Sequence, residues 1–222
     1  MTLAFALEML GVAVFAASGV LAAGRKGLDL IGVVVIAVVT AVGGGTLRDL
    51  LLDRPIAWIV DPRYLYAILA GALVTLLYVR VRRPPGAALE VADALGLALF
   101  ALGGAQIAER AGVPAIVVVI MGTMTGVAGG VLRDVLTAEI PMILREGRMY
   151  ATAAIAGVAL YLALQHAGAP PRVALLAGMA CVAGLRLAAI AWNLTIPVFR
   201  LPDDDAPAAP APVRAARGEE GG

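Results

Sequence analysis

The feature that most limits what this chain can fold into is a stretch that occurs twice. Gly43-Gly44-Gly45-Thr46-Leu47-Arg48-Asp49 returns as Gly129-Gly130-Val131-Leu132-Arg133-Asp134. Each copy closes an apolar run with glycines and sets an Arg-Asp pair soon after them. A displacement of 85 positions lays one copy on the other. The same displacement carries Phe15 onto Phe100, Gly19 onto Gly104, Arg25 onto Arg110, Gly27 onto Gly112 and Thr40 onto Thr125. It also brings Glu8 onto another acid, Asp93. The register holds without a gap through Asp49 and then slips by one residue, so that Tyr66 meets Tyr150.

The solvent for this duplicated unit follows from composition. Hydrophobic residues make up 61% of the 222 and charged residues 15%, the latter gathered between apolar runs. Soluble domains are nearer about 45–50% apolar. The chain therefore reads as an all-α integral membrane protein. Its apolar runs predict seven transmembrane helices: Leu3 to Ala23, Leu28 to Val42, Tyr64 to Val79, Leu89 to Ala108, Val113 through the second glycine cluster to Ile140, Met149 to Leu164, and Val173 to Ala191. Residues 1–83 form the first three-helix repeat, 84–168 the second, and 169–202 a seventh helix outside the repeat. Residues 203–222 hold Asp, Pro, Ala and Gly with little to bury, and read as a disordered tail.

An odd number of helices per repeat makes the second copy enter the membrane from the opposite side, which predicts an inverted repeat. With the N-terminus outside, Arg25, Lys26, Arg80, Arg82, Arg83, Arg133, Arg145, Arg148, Arg200, Arg214 and Arg217 fall inside. Only Arg48, Arg54, Arg63, Arg110 and Arg172 fall outside. The positive-inside rule then places the C-terminus in the cytoplasm, and the inner (plasma) membrane is the expected location.

From Leu28 to Val42 the second run holds about 15 residues and reaches about 22 Å. A bilayer core is near 30 Å. Helices two and five are therefore expected to break at Gly43, Gly44 and Gly45 and at Gly129 and Gly130. Broken backbone at membrane depth is tolerated where it is buried in protein or lines a wet cavity. Both clusters would then bend helices around a permeation path, with Thr40 and Thr125 as weak polar contacts. The competing reading is that glycine only lets helices pack closely; two clusters in matched register favour the path. Arg48 and Asp49 are neighbours, so on a helix their side chains should diverge. The expected partners are Glu8 for Arg48 and Asp93 for Arg133, one pair at each mouth, with Asp49 and Asp134 beside them. Lys26 and Asp29 read as solvated ends.

The sequence gives little to other classes. Cys181 and His166 are each alone, which leaves no disulfide and no Cys/His metal cluster. No nucleophile sits beside a base, so no enzyme and no cofactor are expected. A net charge of +1 makes no case for nucleic acid.

The repeated Gly-Gly-X-X-Arg-Asp motif, the doubled three-helix unit and the seventh helix resemble the prokaryotic trimeric intracellular cation (TRIC) channel family. The resemblance covers about residues 3–195 and is carried by Gly43, Gly44, Gly45, Arg48, Asp49, Gly129, Gly130, Arg133 and Asp134. It departs at Ala128, where the first copy has Gly43. The resemblance implies a homotrimer in membrane lipid, a pore in each protomer and a monovalent cation, chiefly potassium, as permeant ion. The same class of sequence also carries the label of a glycine transporter, and a secondary carrier of a small solute is the alternative. The sequence shows no dedicated site for a coupling ion, which favours the channel.

Overall fold

The computed structural model describes residues 3–145, 149–195 and 197. Among them the regular elements are all helical. In order they are α1 (Leu3–Arg25), α2 (Leu30–Leu51), the single turn α3 (Ala57–Val60), α4 (Arg63–Val81), α5 (Ala88–Arg110), α6 (Ala115–Leu136), a 3-10 turn (Met142–Leu144), α7 (Ala151–His166) and α8 (Pro171–Trp192). Six of these, α1, α2, α4, α5, α6 and α8, are long and apolar enough to cross a membrane. The seventh, α7, has 16 residues and reaches about 24 Å. The stretch proposed as a tail, 203–222, lies outside the described residues.

Side chains sort by solvent. Ile31, Val74, Val81 and Ile116 stand 66–80% exposed on helix faces turned away from the protein. That is the pattern of a bundle in lipid, where apolar side chains outside carry no penalty. Inside, two cores form. One joins Val12, Phe15, Ile36, Ala37, Tyr64 and Ile68 of α1, α2 and α4. The other joins residues of α5, α6, α7 and α8, including Leu97, Leu102, Val118, Val158 and Val182. Phe15 and Phe100, matched in the sequence, stack between α1 and α5 at 5.1 Å between centroids.

The expected breaks in helices two and five are not there. α2 continues through Gly43-Gly44-Gly45 to Leu51, and α6 through Gly129-Gly130 to Leu136, each 22 residues of α-helix. At that length α2 spans about 33 Å and crosses a bilayer unaided. The local argument failed because a helical glycine costs only about 1 kcal/mol against alanine. Tertiary contact offsets that cost, as the crossing of α2 and α6 shows. At the start of α2 the Asp29 carboxylate caps the helix, accepting from the Gly32 N–H at 2.7 Å.

Polar ends finish the bundle. Lys26 Nζ lies 2.6 Å from Glu139 Oε1, and this bond holds the Glu139 carboxyl below its ordinary range. Lys26 is thus partnered as well as solvated. In the connector before α4, hydrogen bonds from Arg63 lower the Asp61 carboxyl in the same way.

Candidate functional site

The site is built on the place where α2 and α6 cross. A methyl group on Gly44 would run into the Thr125 carbonyl oxygen, and one on Gly129 into the Thr40 carbonyl oxygen. The two contacts are reciprocal: each helix offers a glycine to the carbonyl of the other at matched positions. Only glycine lets backbone meet backbone this closely. Gly43 faces the tip of Leu132, and Gly45 has open space apart from the Arg48 guanidinium at 3.8 Å. The hydroxyls of Thr40 and Thr125 are fully buried and donate to their own helices, to Ile36 O and Met121 O, both at 2.6 Å. They are therefore not spare ligands. What these residues bring to the crossing is their carbonyls.

A charged cluster follows in each half. In the second, Arg133 is fully buried. Its Nη1 donates to Asp93 Oδ1 at 2.8 Å and to Ser18 Oγ at 2.9 Å, and its Nε donates to Asp134 Oδ1 at 2.8 Å. One guanidinium thus ties α1, α5 and α6 together. Gly130 makes room for this: a methyl there would sit 2.9 Å from both Asp93 Oδ1 and the Tyr150 hydroxyl. Asp134 Oδ2 in turn accepts the Met142 N–H at 2.9 Å, pinning the chain after α6.

The first half repeats this plan loosely. Arg48 Nε donates to Asp49 Oδ1 at 2.9 Å, and Asp49 Oδ2 accepts the Ala57 N–H at 3.2 Å. Arg48 Nη1 lies 3.9 Å from Glu8 Oε1, which is ion-pair contact without a hydrogen bond. Glu8, Arg48 and Asp49 line a cleft of about 280 Å³ that also touches Arg54, Gln106 and Arg110. Glu8 and Ser18 are ten residues apart on α1, so the two clusters stand about 15 Å apart along that helix.

The structure brings together Glu8 with Arg48 and Asp93 with Arg133. It corrects the expectation that Arg and Asp of each motif diverge. Both pairs bond through the arginine Nε, and each carboxylate also accepts a backbone N–H eight residues on. Sequence reasoning placed Arg186 within the seventh helix, toward its inner end, and gave it no role. It is 1% exposed, lies over the Tyr150 ring at 4.6 Å, donates from Nη1 to Met149 O at 3.2 Å, and stands 4.0 Å from Asp93 Oδ2. The available signal was a lone cation deep in an apolar helix.

Comparison with known proteins agrees with this architecture. The family model described as "Glycine transporter" matches twice, over residues 5–80 and 90–166. The UPF0126 inner membrane protein YadS of Escherichia coli is 44% identical over 205 residues, covering 91% of this chain and 99% of that protein. The solved TRIC trimeric intracellular cation channel orthologue from Rhodobacter sphaeroides superposes with a TM-score of 0.82 at 40% identity, over 87% of this chain and 100% of the other. A prokaryotic TRIC channel in 0.5 M KCl gives 0.80 at 31% identity, over 86% and 96%. These solved relatives are channels and not enzymes. The chain belongs to the family that this model and these relatives define, which takes in the UPF0126 membrane protein and the prokaryotic TRIC channels that it matches.

Proposed function

We propose that the chain is a monovalent cation channel, permeable to potassium, with a conduction path inside each protomer of a homotrimer. The path runs beside the α2–α6 crossing, from the Arg48 cleft toward Arg133. One observation carries the reading: each half sets a buried arginine and carboxylates at the end of the helix that holds its glycines. Charges at membrane depth are costly and turn inward to line ion pathways. The solved relatives named as cation channels support the same reading.

In this reading the two units, 1–83 and 84–168, form an inverted repeat with α8 added. The N-terminus is outside and the C-terminus cytoplasmic. Two matches of one family model in a single chain support the duplication. The Arg48 end is open to its cleft, while the Arg133 end is closed by a guanidinium bonded to three helices. Conduction needs Arg133 to release Asp93 and Ser18.

The test is single-channel recording of purified protein in a planar bilayer under a potassium gradient. Discrete currents reversing near the potassium potential are expected, with longer openings in Arg133→Gln. The description of the family model names glycine, so glycine is added to the same bilayer and its uptake is measured in liposomes. A silent bilayer with saturable glycine uptake would overturn the channel in favour of a carrier.

A further inference from the structure

Arg186 comes from α8, the helix outside the two matched units. Among the buried residues of α8 it is the only charged one. Its Nε and Nη2 are buried without hydrogen-bond partners, and so is Asp93 Oδ2, 4.0 Å from Nη2. An arginine and a carboxylate left just out of bonding range inside a protein form an unusual pair, since buried charges ordinarily close to direct contact. Charge inventory explains why it stays. The second cluster holds Asp93 and Asp134 against Arg133 and Arg186, which sum to zero. Without Arg186 it would hold two carboxylates and one arginine. Arg186 also lines a cleft of about 310 Å³ with Glu90, Met149, Asn193 and Thr195.

We infer that Arg186 is a tethered cation, held in the place that a free monovalent cation would take beside Asp93 Oδ2. It sets the affinity of this end of the path for cations, keeping it low. The inference rests on the cation-channel reading for the identity of the displaced ion.

The test does not need current. Full-length protein in detergent is melted in potassium chloride and in choline chloride of equal ionic strength. Arg186→Gln should melt about 2–4 °C higher in potassium than in choline, the size of shift that about 1 kcal/mol of ion binding gives a chain of this length. Wild type, Arg186→Lys and the double variant Asp93→Asn/Arg186→Gln should show no such difference. A purely structural arginine would lower the melting point of Arg186→Gln equally in both salts, and that result overturns the inference. Should Arg186→Gln fail to fold, Arg186→His replaces it. There the potassium shift should be present at pH 8, with the imidazole neutral, and absent at pH 5.5, with it charged. The groups around that imidazole are Asp93, Tyr150, Arg133 and Glu90. An equal response at both pH values overturns the inference as well. A potassium shift in a protein that passes no current would break the channel reading alone; currents without the shift would break only this inference.

Discussion

The Arg48 and Arg133 clusters are made from the same motif and differ in closure. Both arginines bond the next residue, and both aspartates bond a backbone N–H eight positions on. Arg133 then reaches a short aspartate and a serine, each within 2.9 Å, and is sealed. Arg48 faces a longer glutamate at 3.9 Å across an open cleft. One methylene in the acid and one extra helix separate a sealed cluster from an open one. Two copies of one motif can thus differ through a few side chains around them.

The comparison can be broken first at the acids. Asp93→Asn should destabilise by about 3–5 kcal/mol, because it leaves buried guanidinium uncompensated. Glu8→Gln should cost below about 1 kcal/mol, as a partly solvated pair does. Denaturant unfolding in detergent reads both, and equal losses would erase the distinction drawn between the ends. The glycines sharpen the part that is symmetric. Gly44→Ala and Gly129→Ala should each cost at least about 1–3 kcal/mol through backbone collision, and by similar amounts. Gly103→Ala, with nothing within 4 Å of the new methyl, should gain up to about 1 kcal/mol from helix propensity. A smaller effect lies in the connector of the first half. Trp58→Phe removes the indole bond to Thr46 Oγ1, 2.9 Å long, and should cost about 0.5–1.5 kcal/mol.

The smallest effect is at the surface, at the Lys26–Glu139 bridge. The Glu139 carboxyl is lowered by its bond to Lys26, so any stability it adds is present in full above the ordinary glutamate range. It is lost as the pH falls through the lowered value. Melting temperatures of wild type and Glu139→Gln should therefore converge only in acid. Convergence at neutral pH would show the bridge to be inert.

Much of this architecture was legible in the sequence, because apolar runs report helices. The pairing of Asp93 with Arg133 was legible too: a matched acid in each copy needed a matched base. Helix continuity through Gly43-Gly44-Gly45 was not. Local reading prices a glycine by its own helix, whereas here the Thr125 carbonyl of another helix makes the glycine necessary. Nor was the bond between Arg48 and Asp49, since spacing rules for helix faces treat side chains as radial spokes and a long arginine is not one. Arg186 escaped because α8 has no second copy against which to compare it.

The positions of the buried arginines along the chain have a consequence for the order in which the protein is made. Synthesis runs from the N-terminus, and early segments reach the membrane first. Arg48 is made after Glu8. Arg133 is made after both Ser18 and Asp93. Arg186 is made after Asp93, Met149 and Tyr150, all of which it contacts. Each guanidinium therefore arrives where acceptors from earlier helices already exist. A nascent chain assembled in this order never has to store an arginine in lipid while it waits for a partner on a helix not yet translated.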